Sequence, residues 1–260
     1  MHARLQVVLA FAALAGLPAH AASSCHAASG TLTRPLVELY TSEGCDSCPP
    51  AERWLSSRFG ATGDAPQAIA LAFHVDYWDR LGWVDRFSSA DYTARQYAMM
   101  RANGGTFVYT PQVLLQGRDY AGWRDAETTP IDAAARTHAA ATIALDVVPG
   151  ERDLSVHADA RIAPGGGAGD AELFVAYADS GLVSQIGAGE NRGLRLTHDD
   201  VVRTLRLAGR ESGTGRIDAT MTLARPVERG AHPMVVAFVE QASTGEVLQA
   251  LALPLDGCGK

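Results

Sequence analysis

In the first half of the chain, short apolar runs alternate with stretches of helical periodicity. Residues 35–41 (PLVELYT) read as a strand, because Val37, Leu39 and Tyr40 favour extended backbone. The following SEGCDSCPPAERWLSSRF reads as a turn entering a helix. Pro49 and Pro50 suit a first helical turn, where a missing N–H costs nothing, and Trp54, Leu55 and Phe59 supply the apolar face. A Gly/Asp/Pro loop over 60–67 leads to AIALAFHV at 68–75, a near-continuous apolar run of the kind a central strand covered on both faces requires. The aromatic and charged DYWDRLGWVDRF reads as a loop near one end of the sheet. Residues 89–102 read as a helix capped by Ser88 or Ser89 and stopped at Asn103-Gly104-Gly105. In TFVYTPQVLLQG, residues 106–117, a proline immediately precedes a third strand, and 127–139 reads as one more helix. This order predicts a parallel-sheet core with helices on its faces.

Near residue 140 the pattern changes to alternation, in ATIALDVV, LSVHADARI, ELFVAYA and GRIDATMTLA, with HPMVVAFVEQ and VLQALALPL after them. Gly-rich turns such as PGGGAGD and ESGTG separate the runs. The expected organisation is therefore an α/β domain over 35–139 and a mainly antiparallel, β-sandwich-like domain over 140–257. Residues 22–34 are small and polar and read as a flexible lead-in.

Composition narrows the functional classes. The formal charge is -7, with no basic block, so nucleic acid is not an expected partner. Residues 1–21 have a basic start, an apolar run from Leu5 to Leu17 and a small-residue Ala19-His20-Ala21 site. That is the layout of a cleaved signal peptide, which implies a periplasmic or secreted protein. No later apolar run approaches membrane-spanning length, so no stable membrane span is expected after processing.

Export permits disulfides, and the four cysteines, Cys25, Cys45, Cys48 and Cys258, allow three pairings. Cys25 and Cys258 stand near the two ends of the mature chain and are candidates for a structural staple. Cys45 and Cys48 form a Cys-x-x-Cys at a strand-to-helix junction. Three readings apply to it: a redox couple, half of a zinc site, or an inert disulfide. The zinc reading lacks a second close cysteine pair. The redox reading draws on the helix N-terminus, whose unpaired N–H groups stabilise a thiolate. Cys45, expected to be the more exposed, is the candidate nucleophile, and Cys48 the resolving cysteine. Glu43 is placed to tune the pair electrostatically, while Asp46 opposes thiolate formation. His74, Asp76 and Trp78 follow the central strand, where functional groups gather in open sheets, and His74 or Asp76 is a candidate proton shuttle. Asn191, Arg192, His198, Asp199 and Asp200 form a polar cluster, read as a hydrogen-bonded hairpin or as the lining of an interdomain cleft. No cofactor or metal is assigned.

The strand–CxxC–helix unit, followed much later by Thr110-Pro111 before a strand, resembles the thioredoxin superfamily. VELYTSEGCDSCPPAERWL, FHVDYWDRLGWVDRF, YTPQVLLQG and GENRGLRLTHDDVVR together resemble the DUF1223 family of secreted bacterial proteins. The resemblance implies a thioredoxin-like α/β domain, with a cis Thr110–Pro111 peptide bond and Pro111 beside the dithiol. It does not imply general thioredoxin activity, since Asp46-Ser47 stand between the cysteines and Glu43-Gly44 precede them. The resulting expectation is a thiol–disulfide oxidoreductase-like periplasmic protein acting on protein or small thiols, with a redox partner. The alternative is a noncatalytic secreted binding or structural protein stiffened by a Cys45–Cys48 disulfide.

Overall fold

The computed structural model describes residues 24–60, 67–125, 128–167 and 169–258, so residues 1–21, expected to be a signal peptide, lie outside the described residues. The first half contains β1 (Cys25–Ala28), β2 (Leu36–Thr41), α1 (Pro49–Phe59), β3 (Ile69–His74), α2 (Ala90–Ala102), β4 (Gln112–Leu115), β5 (Arg118–Asp119) and α3 (Thr129–Ala134). The second contains β6 (Ala141–Pro149), β7 (Asp153–Ile162), β8 (Ala171–Asp179), β9 (Leu182–Gln185), β10 (Arg195–His198), β11 (Val201–Arg210), β12 (Arg216–Ala224), β13 (Met234–Gln241) and β14 (Val247–Pro254).

Eight strands form one sheet in the order β14-β13-β8-β11-β3-β2-β4-β5. A second sheet has the order β1-β6-β7-β12, and β9 and β10 form a hairpin. β2 and β3 run parallel, from Leu36 opposite Ile69 to Thr41 opposite His74. Alternate residues of β2 serve opposite faces of the sheet. Leu36 and Tyr40 pack with Phe73, Tyr92 and Met99, while Val37 and Leu39 pack with Trp54 and Leu55 of α1. In the second half, Ile143, Leu145 and Val147 of β6 pack against Leu173, Val175 and Tyr177 of β8 and Val235, Ala237 and Val239 of β13. This alternation closes the four-stranded sheet over one face of the larger one.

The expected α/β thioredoxin-like domain followed by a sandwich-like domain is corrected here. The chain is mostly β, with three α-helices among the described residues, and strands from both halves share the eight-stranded sheet. The physical reason is the free edge of β3. An isolated α/β unit would expose it, but β11 pairs with it in parallel, Val201 opposite Ala72, and the Ala72 N–H donates to the Asp200 carbonyl at 2.8 Å. The lead-in is also corrected: Cys25–Ala28 is strand β1, antiparallel to β6, and Cys25 is disulfide-bonded to Cys258. The helix expected over 127–139 is the six-residue α3. Ser89 caps α2, its hydroxyl accepting from the Asp91 N–H at 3.2 Å.

A buried ion network joins the halves. Arg95 of α2 donates from Nε to Glu38 of β2 at 2.8 Å and from Nη2 to Glu240 of β13 at 2.7 Å. The Tyr40 hydroxyl donates to Glu38 at 3.1 Å. All four side chains are buried, so α2 is fixed by charge as well as by apolar packing.

Candidate functional site

β2 delivers the chain to a turn over residues 42–47, and α1 begins immediately after it. Cys48 is the N-cap residue, followed by the two prolines, and its side chain makes no capping hydrogen bond. The turn is closed by the Cys45 N–H on the Ser42 carbonyl and the Cys48 N–H on the Cys45 carbonyl, each at 3.2 Å. Cys45 and Cys48 form a disulfide, and both are fully buried. The expectation that Cys45 is the more exposed is therefore corrected; within the motif only Asp46 and Ser47 reach solvent.

The connection between β9 and β10 is tied to the backbone of this turn. Asn191 Nδ2 donates to the Glu43 carbonyl at 2.9 Å and to the Cys45 carbonyl at 2.8 Å. Glu190 accepts from the Asp46 N–H at 3.3 Å. Gly187 and Gly189 leave room for Trp83, since a Cβ at either position would lie 3.1 Å from that side chain. On the other flank, a Cβ on Gly44 would lie 3.4 Å from Trp78 Cβ, and Trp78 Nε1 donates to the Thr110 hydroxyl at 2.8 Å. Trp78 thus bridges the turn and the Thr110–Pro111 peptide bond, which is cis.

A polar network is buried next to this turn. Glu52, one turn into α1, accepts from the Thr41 hydroxyl at 2.6 Å and lies 2.8 Å from His198 Nδ1 of β10. His198 Nε2 is 3.3 Å from Glu43 Oε1, without hydrogen-bond geometry. Glu43 Oε2 accepts from Trp83 Nε1 at 2.7 Å. His74, the last residue of β3, places Nδ1 2.6 Å from Asp85, which also accepts from the Glu43 N–H at 2.8 Å. The rings of His74 and His198 meet edge to face at 5.2 Å, and both pack on Phe87.

Burial works against charge on His198, but the carboxylates of Glu52 and Glu43 outweigh it and raise the imidazole to about 10. Burial likewise opposes ionisation of Glu52, yet His198 holds that carboxylate below its ordinary range. Asp85 is held low by His74 in the same way, against its own burial. Glu52, His74 and His198 each offer one ligand atom, all within 4.8 Å of one another, and are the described residues grouped suitably for a metal ion.

Glu43, His74, Trp78 and Thr110 thus contact the turn or the network around it. Asp76 does not; it accepts from the Thr93 hydroxyl of α2 at 2.6 Å. The sequence reading missed Glu52 and Asp85. Glu52 stands four residues after Cys48, a helical spacing that places it beneath the motif, but nothing local marks it as buried. Asn191 and His198 were visible as polar residues without a destination.

Residues 36–240 match the family profile described as a protein of unknown function, DUF1223. The chain belongs to the DUF1223 family. The DUF1223 span contains both cysteines of the motif, both histidines and Asn191, and excludes Cys25 and Cys258. No curated protein is significantly similar to this chain. Among solved structures, protein AGR_C_4864 from Agrobacterium tumefaciens is 26% identical, with a TM-score of 0.59 over 86% of this chain and 96% of that one. HBP35 of Porphyromonas gingivalis is 14% identical, with a TM-score of 0.62 over 88% of this chain and 77% of that one, a likeness of fold alone.

Proposed function

We propose that this DUF1223 chain is a thiol–disulfide oxidoreductase-like protein that cycles Cys45–Cys48 against protein or small-molecule thiols outside the cytoplasm. The observation that carries the reading is the Cys45–Cys48 disulfide at the N-terminus of α1, where reduction releases thiolates into the field of the first-turn N–H groups. In the oxidising direction a substrate thiolate attacks Cys45 Sγ, the Cys45–Cys48 bond breaks, and Cys48 leaves as a thiolate. A second substrate thiolate then attacks the substrate sulfur of the mixed disulfide and releases Cys45. Two electrons pass from the substrate dithiol to the pair, with the accompanying protons, and the reverse sequence reduces a substrate disulfide. Because both sulfurs are buried, the β9–β10 connection has to lift before a protein thiol reaches them. Two disulfides, with no free cysteine among the described residues, fit an oxidising compartment, as does the export layout of residues 1–21.

The same burial favours one other reading, a structural disulfide in a binding protein. The reduction potential of the pair separates them. Mature protein is equilibrated in defined thiol/disulfide buffers, trapped, and the Cys45–Cys48 peptide quantified. A reversible couple well above about -300 mV supports exchange chemistry, whereas a pair still oxidised below that value is a structural bond.

A further inference from the structure

We propose that His74, His198 and Glu52 form a buried binding site for a divalent transition-metal cation of the zinc type, at the junction of β3, β10 and α1. The site is independent of the cysteines. Three separate elements, the end of β3, the end of β10 and the first turn of α1, each contribute one buried ligand atom to a group spanning no more than 4.8 Å. Regular tetrahedral coordination at 2.0–2.1 Å needs ligand atoms about 3.4 Å apart, so the His198 Nδ1–Glu52 pair, now 2.8 Å apart, opens slightly while the wider separations, at most 4.8 Å, close.

The hydrogen bonds around the histidines favour a cation over a merely structural cluster. His74 Nδ1 is engaged by Asp85 at 2.6 Å, which leaves Nε2 as the atom with a free lone pair. That Nε2 is buried and has no hydrogen-bond partner. Water does not supply one, because the void lined by His74, His198 and Glu52 has no room for a water molecule; Leu39, Leu55, Ala72 and Asp199 complete its lining. A cation held between Glu52 and His198 Nδ1 replaces the proton that the imidazole carries there, which leaves to solvent, and keeps the His198 Nε2–H directed at Glu43 Oε1, which lies 3.3 Å away and also has no partner. Each histidine then binds the ion through one nitrogen and a carboxylate through the other, the arrangement that orients metal-bound imidazoles. Two nitrogens and one carboxylate oxygen suit zinc or cobalt, and not calcium or magnesium, which take mainly oxygen ligands.

The test uses the full mature chain with both disulfides intact, so that no described thiolate competes for metal. Chelator-stripped protein is titrated with Co²⁺ and then with Zn²⁺. The expected result is one Co²⁺ per chain with the visible absorption of a low-coordinate N/O site, displaced one for one by Zn²⁺. H74Q and H198Q should abolish stoichiometric uptake. D85N should weaken it by roughly 10–100-fold, as loss of an outer carboxylate does elsewhere. Should the histidine variants fail to fold, D85N together with X-ray absorption of the wild-type Zn²⁺ form, reporting two imidazoles or not, decides the question alone. The exposed group of His26, Asp146 and His157 is the competing surface site, and the H26A/H157A double variant should keep full uptake. Absence of stoichiometric uptake by wild type at micromolar metal overturns the proposal. So does uptake that survives H74Q and H198Q in folded protein, or that disappears in H26A/H157A.

Discussion

Replacing Asn191 by alanine tests whether the β9–β10 connection governs access to the dithiol. In the folded chain one side-chain amide makes two hydrogen bonds, at 2.9 Å to the Glu43 carbonyl and at 2.8 Å to the Cys45 carbonyl. Each is worth about 0.5–1.5 kcal/mol net, so the substitution destabilises the closed arrangement by about 1–3 kcal/mol. The opened arrangement loses nothing, because there both carbonyls meet water. If reagents reach the sulfurs through opening, the opening constant rises roughly 5- to 150-fold, and the observed reaction rate follows it. The assay is the rate at which dithiothreitol reduces Cys45–Cys48 in oxidised protein, read by differential alkylation of the peptide containing both residues, so that Cys25–Cys258 does not enter. Asn191→Ala should accelerate this step by that factor, with little change in the chemical step of the unfolded chain. An unchanged rate in folded Asn191→Ala protein refutes the idea that this connection covers the pair.

Three further outcomes follow from the fold. Arg95→Met leaves Glu38 and Glu240 buried without their cation and should cost about 3–5 kcal/mol by urea unfolding. Burial already raises the Glu240 carboxyl and Arg95 is what offsets that, so in the variant the deficit should be largest near neutral pH and shrink as pH falls from the raised folded value to the ordinary carboxylate range at about 4; a pH-independent deficit contradicts the assignment. Gly117→Ala drives a Cβ into the Gly245 carbonyl oxygen at a φ of +77°, and should cost about 2–5 kcal/mol. Gly82→Ala, at φ +107° with open space around it, should cost only the backbone part, about 1–2 kcal/mol, and equal costs for the two glycines count against the steric argument. The paired change Cys25→Ser with Cys258→Ser should lower unfolding stability by about 2–5 kcal/mol without altering the Cys45–Cys48 potential, as calorimetry and thiol trapping would show.

What the chain discloses locally, it discloses well. The turn into α1 is marked by adjacent prolines, the Ser89 cap by its spacing, and β6 and β7 by alternation. Long-range pairing is another matter. Nothing in AIALAFHV says that its free edge will be taken by Val201, and nothing in CHAA says that it will lie along β6. The α/β expectation failed for that reason: a parallel β–α–β unit and a sheet extended by distant strands read identically within a local window. The buried charges were hidden by a different rule. Glu52 and Arg95 lie on helices amid other polar residues, where a charged side chain ordinarily faces water. Only the partners, Glu52 with His198 and Arg95 with Glu38 and Glu240, explain their burial, and those partners are remote in sequence. Asn191 and His198 were conspicuous as polar residues, but their target, 146 residues away across the Asn191–Cys45 contact, was not.

The linkage of Cys25 to Cys258 across 233 residues has a consequence for how the chain is made. The two disulfides are nested, the outer joining first cysteine to last and the inner joining the two between. During synthesis Cys25 appears long before its partner, while Cys45 and Cys48 follow it closely. An oxidant acting on each cysteine as it emerges would join Cys25 to one of them and strand the other. The native connectivity therefore requires either that Cys25 stay reduced until Cys258 has emerged, or that a shuffling step undo the early error. Closure of the outer disulfide thereby becomes a check that the stretch from Cys25 to Cys258 has been delivered.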